Sequence, residues 1–101
     1  VTTIPTVIVG IKFYGARAME AVSLMRPGQT VLLRRAMHPK DPNAIECHFL
    51  GVFVGYVPRQ ANEPIATAFD AGKTPIAVIT ERGRIERGRV KAEPKITVSW
   101  D

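Results

Sequence analysis

The chain has 101 residues, 46% of them hydrophobic, and one cysteine; at roughly 100 to 200 residues per domain that is a single domain, with no internal disulfide and no thiolate-rich zinc pattern to staple it. Fourteen Lys and Arg against nine Asp and Glu give a formal charge of +5 and an isoelectric point near 9.9, a balance that favours an anionic partner such as nucleic acid, the rival reading being excess charge that only keeps the chain soluble. The longest stretches without Asp, Glu, Lys or Arg, residues 1–11 and 47–58, fall short of the about 20 residues that cross a bilayer as a helix.

In chain order, residues 6–11 are rich in β-branched side chains and run into Tyr14-Gly15, which predicts a strand ending in a bend. Within residues 16–25, Ala18, Ala21, Val22 and Met25 fall at helical spacing, a short helix whose stripe is small because two of the four are alanines. Pro27-Gly28 turns the chain into a strand at residues 31–35, expected to be buried on both faces at its start. Residues 44–49 and 52–56 are separated only by Leu50-Gly51, which suits a β-hairpin. Asn62 is the expected N-cap and Pro64 a first-turn residue of a helix at about 63–70. Ile65, Ala66 and Phe69 form its inward stripe, and Gly72 closes it in the left-handed conformation.

Residues 74–80 supply a further β-branched strand. At the end of the chain Ile96, Val98 and Trp100 alternate with Lys95, Thr97 and Ser99, a half-buried last strand. Five or six strands, two short helices and no βαβ alternation predict a mainly β fold: a small antiparallel barrel with helices over its openings.

Enzyme chemistry finds little to work with. His38 and His48 stand ten apart with neither an H-E-x-x-H nor a familiar metal-loop spacing, so no metal site is expected. Cys47 and His48 are neighbours in a strand, point to opposite faces and cannot form a nucleophile–base pair. Glycines at 51, 55, 83 and 88 are scattered through turns and make no phosphate-cradling loop. No catalytic residue and no cofactor is expected.

Three features fit nucleic acid instead. Lys12-Phe13-Tyr14 puts two aromatics together after a strand, so at least one ring should lie near the surface, where an unstacked base can pack on it; the rival is a pair of rings capping the core. The loop His38-Pro39-Lys40-Asp41-Pro42-Asn43 is stiffened by its prolines, and Asp41 offers either a turn-forming carboxylate or an acceptor for a ligand hydroxyl. Residues 81–95 carry six Lys and Arg against three Glu, a basic hairpin tip suited to a phosphate backbone or a merely solvated loop.

Val9-Gly10 followed by aromatics, then Leu33-Arg34-Arg35, then His38-Pro39-Lys40-Asp41-Pro42-Asn43-Ala44-Ile45, then Val54-Gly55-Tyr56-Val57-Pro58-Arg59 resembles the HIRAN domain family in order and spacing over about residues 6–72. The resemblance implies a modified OB-like barrel of about six strands with two helices. Members stand at the front of Swi/Snf-type DNA translocases or occur as small domains in bacteria and phages, and characterised eukaryotic ones bind the 3′ end of single-stranded DNA. Carried onto this sequence, the resemblance makes Phe13 and Tyr14 the base-packing aromatics with Lys12 beside them, Asp41 the acid at the 3′-hydroxyl, and Tyr56 and Arg59 residues bordering the groove. Two positions depart from the pattern: His38 stands where Asn is common, and Lys40 where Tyr often is. Residues 82–91 have no counterpart in the motifs.

The expectation is a non-catalytic DNA-binding module with the site Lys12, Phe13, Tyr14, His38, Lys40, Asp41, Tyr56 and Arg59. Its expected partners are single-stranded DNA and a helicase or nuclease, in repair or fork processing, with no membrane. It would work in the cytoplasm, on the nucleoid in a bacterium. The alternative is a protein-interaction domain that keeps the fold without the pocket.

Overall fold

A computed structural model describes all 101 residues. Six strands form one antiparallel sheet: β1 (Thr2–Val7), β2 (Thr30–Arg35), β3 (Ile45–Phe49), β4 (Val52–Tyr56), β5 (Ile76–Glu81) and, last in the chain, β8 (Lys95–Trp100). Their spatial order is β1-β8-β5-β2-β3-β4. A separate hairpin joins β6 (Arg84–Glu86) to β7 (Arg89–Ala92). Helix α1 (Gly15–Ser23) follows a 3-10 turn at Ile11–Tyr14, and helix α2 (Arg59–Asp70) follows β4.

The sheet curls around one cluster of 19 buried residues, among them Ile8, Met25, Ile45, Val54, Ile65, Ile79 and Ile96. It does not close strand to strand. Its edges, β1 and β4, are tied at one point beyond the end of β1, where Val9 N–H donates to the Tyr56 carbonyl at 2.9 Å and Tyr56 N–H to the Val9 carbonyl at 3.0 Å. The mainly β, six-stranded antiparallel reading therefore holds, and the fold is OB-like with an open seam. No helix is long and apolar enough to cross a membrane.

The first strand lies earlier than expected, at Thr2–Val7 rather than 6–11. Pro5 argues against a strand only where its missing N–H is needed, and on an edge it is tolerated. Ile8 and Ile11 are apolar because they enter the core beyond the ladder. In β2 the alternation is strict: Val31 and Leu33 are buried while Leu32 is 68% exposed, so the strand is not buried on both faces.

Helix α2 begins four residues before the expected start. Pro58, extended at φ −66° and ψ 154°, occupies the N-cap position without a side-chain cap, and Pro64 lies inside the helix. Asn62 is consequently not a cap but a buried side chain on the inner face. At the far end Gly72, with φ 81°, donates to the Phe69 carbonyl and Lys73 to that of Ala68, the paired bonds of a left-handed helix stop. Ala18, Ala21 and Val22 are the buried stripe of α1, which stops at Ser23 rather than reaching residue 25, and Met25 is buried just beyond its end.

Candidate nucleic-acid interface

The site is built outward from an irregularity in the β3–β4 hairpin. The tight turn at Leu50-Gly51 sets Phe49 opposite Val52 and His48 opposite Phe53, but the next partners are Cys47 with Gly55 and Glu46 with Tyr56. Val54 is thus an extra residue in β4, a bulge. Strict alternation would send residues 53 and 56 to opposite faces; the bulge brings both to one face, with ring centroids 5.2 Å apart. Tyr14, delivered by the 3-10 turn, packs at 4.4 Å from Phe53 and 6.2 Å from Tyr56. His48 stacks on Phe53 at 5.4 Å and bonds Glu46 at 2.9 Å.

Gly55 makes this possible. At φ 153°, a Cβ there would sit 2.4 Å from the Val9 carbonyl oxygen and 2.9 Å from the Ile8 side chain. Its absence lets the two sheet edges meet and places Tyr56 beside Tyr14. Burial, then the neighbouring Tyr14 and Glu46, push the Tyr56 hydroxyl above its usual pKa.

Phe13 and Tyr14 part company. Phe13 is 73% exposed, and Lys12 holds its ammonium 5.1 Å from the ring centroid, a cation–π arrangement that stiffens the exposed ring. Tyr14 is half-buried among the other aromatics. A cleft of about 430 Å³ opens on one side of Phe13, lined by residues 10–13 and 90–93.

From Tyr56 the surface continues to His38, edge-on at 6.2 Å, and so to the loop at 38–43. The backbone of Lys40 donates to His38 Nδ1 at 3.1 Å, which leaves the neutral ring's proton on Nε2. Asp41 is well anchored: Oδ1 accepts from the Asn43 N–H at 3.0 Å, and Oδ2 accepts from Asn62 Nδ2 at 2.8 Å and lies 3.7 Å from Arg59 Nε. Arg59 also donates from Nη2 to the Lys40 carbonyl. The carboxylate side chain remains 20% exposed and the Arg59 side chain 70%. Two oxygens with about four lone-pair positions retain acceptor capacity toward solvent.

The fold thus brings Tyr14, His38, Tyr56 and, through the loop, Lys40, Asp41 and Arg59 into one continuous surface, with Lys12 and Phe13 at its flank. Tyr14 and Asp41 do not share the cleft beside Phe13. Asp41 is a turn-forming residue as well as an available acceptor. The HIRAN domain family model matches residues 1–100. The chain belongs to the HIRAN domain family. HIRAN is a DNA-binding family rather than a catalytic one. Among solved structures the fold matches a protein from Lactobacillus plantarum (TM-score 0.74, 24% identity, 96% of this chain and 93% of that one). It also matches the HIRAN domain of human HLTF (TM-score 0.71, 17% identity, 97% of this chain and 74% of that one). No curated protein matches the chain.

Four residues of this HIRAN surface escape the sequence reading: Glu46, His48, Phe53 and Asn62. The two-residue hairpin turn carried the signal for one of them, since it alone fixes Phe53 opposite His48. Cys47 belongs to the other face of β3, fully buried, and burial first and then Glu46 push its thiol up to about 12. Its thiolate is the reactive form, so a thiol reagent at pH 8 should leave the native domain untouched and label it only after denaturation. Rapid labelling of the native protein would contradict that burial.

Proposed function

We propose that this HIRAN domain is a non-catalytic module that binds the 3′-hydroxyl end of single-stranded DNA, serving a helicase or nuclease in repair or fork processing. The observation that carries the reading is the bare Phe13 ring under its Lys12 ammonium, beside an aromatic surface that runs through Tyr56 and His38 to a preorganised acid. A terminal base stacks on Phe13, at the flank of the aromatic surface formed by Tyr14 and Tyr56. Lys12, Lys40 and the open N–H groups of Arg59 meet phosphates. Asp41 accepts the terminal hydroxyl's proton in a hydrogen bond, its orientation fixed by Asn62 and Asn43.

Arg59 offsets much of the Asp41 charge, so selection for a free hydroxyl rests on the short hydrogen bond more than on long-range repulsion. Oligonucleotides ending in 3′-hydroxyl should outbind the same strands ending in 3′-phosphate by about 5- to 10-fold, the equivalent of roughly 1 kcal/mol. Asp41→Asn should narrow that ratio while hydroxyl-end binding falls only moderately. Fluorescence anisotropy on both proteins reads the result. A parent that binds both ends equally would defeat the reading, and a variant that loses stability with its end ratio unchanged would leave Asp41 as a loop residue only.

A further inference from the structure

The basic hairpin of β6 and β7 touches the site described above only through the β7 residues that line the Phe13 cleft, and its tip lies outside that cleft. Ile85 and Val90 pack against the core, and at the hairpin's base Gly83 lies so close to Pro94 and Ala92 that a Cβ would fall 2.9 Å from the proline ring. This is an anchored element rather than a loose loop. Its outward residues are Arg84, Glu86, Arg87, Arg89 and Lys91. Arg84 is paired with Glu86 at 3.2 Å; Arg87, Arg89 and Lys91 have no acidic partner within ion-pair distance.

Lys91 lines two concavities at once. One is the cleft beside Lys12 and Phe13; the other is a wholly polar basin of about 490 Å³ formed by Glu86, Arg87, Arg89 and Lys91. A path therefore leads from the exposed Phe13 ring past Lys91 to the two other unpaired cations, Arg89 and Arg87, at the hairpin tip. Glu93 stands at the opposite end of β7 from that tip and biases an anion toward Arg89 and Arg87.

We propose that the β6–β7 hairpin is a second contact region that holds the phosphate backbone of the single strand beyond its terminal nucleotides. The inference rests on the proposed function, because Phe13 must first seat a base. The hairpin supplies charge without base-edge readout, so its contribution is independent of sequence and grows with strand length until the cations are occupied.

The test compares Arg87→Asn/Arg89→Gln, which leaves Lys91 in the Phe13 cleft intact, with the parent on oligonucleotides of about 4 and about 12 nucleotides, spanning the lower range of strand lengths that OB-type folds occupy. Asparagine is used at 87 because that residue has φ 54°, which asparagine tolerates. Both side chains are exposed, so the melting temperature should not move.

Two lost phosphate contacts at about 0.7 each lower the log–log salt slope by about 1.4, so between about 50 and about 200 mM salt the parent should lose about sevenfold more affinity for the longer strand than the variant does. Binding to the short strand should be equal in the two proteins. An unchanged length dependence and slope would overturn the hairpin's role, and an equal loss on the short strand would overturn its placement beyond the terminal nucleotides. A parent that binds neither oligonucleotide would instead defeat the reading of the Phe13 site.

Discussion

Gly55→Ala should destabilise the domain by about 3 kcal/mol or more, lowering the thermal midpoint by about 10 to 20 °C for a chain of this size. Two costs add at this position. Alanine disfavours the positive φ of 153°, a strain of about 1 to 3 kcal/mol, and its Cβ would overlap backbone rather than a yielding side-chain tip, since the nearest atom is the Val9 carbonyl oxygen at 2.4 Å. Relief requires the Val9–Tyr56 bridge to open, which withdraws both of its hydrogen bonds and displaces Tyr56 from Tyr14. Thermal denaturation gives the magnitude, and the tyrosine signal in near-ultraviolet circular dichroism should change before unfolding. An alanine variant as stable as the parent, with that signal intact, would mean that the sheet edges are not stitched there.

Phe13→Ala and Tyr14→Ala should separate binding from folding, although the two rings are adjacent in the chain. Phe13 is mostly in water, so its removal should leave stability within about 0.5 kcal/mol and weaken single-stranded DNA binding by about 1 to 3 kcal/mol, the usual value of one stacked base. Tyr14 packs on Phe53 and Tyr56; its loss should cost the fold about 2 kcal/mol, less than the 3 to 5 kcal/mol of a fully buried aromatic. Paired melts and anisotropy titrations decide. If Phe13→Ala binds as tightly as the parent, the exposed ring is not where a base stacks.

Much of the frame is legible in the residues because local rules decide it. Leu50-Gly51 alone fixes the hairpin ends, Gly72 fixes the stop of α2, and the alternation from Lys95 to Trp100 fixes the last strand. The surface is less legible, because it depends on an extra residue in one strand. Nothing in Val52-Phe53-Val54-Gly55-Tyr56 says that Val54 is unpaired, and without that fact Phe53 and Tyr56 belong to opposite faces. Asn62 shows a similar limit: its side chain suits an N-cap, but Pro58 starts the helix earlier and turns that amide inward to Asp41. The motif resemblance reaches Tyr56, Arg59 and Asp41 directly, yet it says nothing of the partners that hold Asp41 in place.

The pairing of β1 with β8 sets Thr2 beside Trp100 at one end of a two-stranded ribbon and Val7 beside Lys95 at the other. At about 3.3 Å per residue the ribbon is roughly 17 Å long, and its second end leads straight into Val9 and the aromatic surface. Any polypeptide joined ahead of Thr2 or after Trp100 would leave from the same corner, at the end of the ribbon opposite the one that leads into Val9. A neighbour tethered at either terminus, or at both as an insertion in a larger fold, would swing about that one corner, a ribbon's length from the Val7 end.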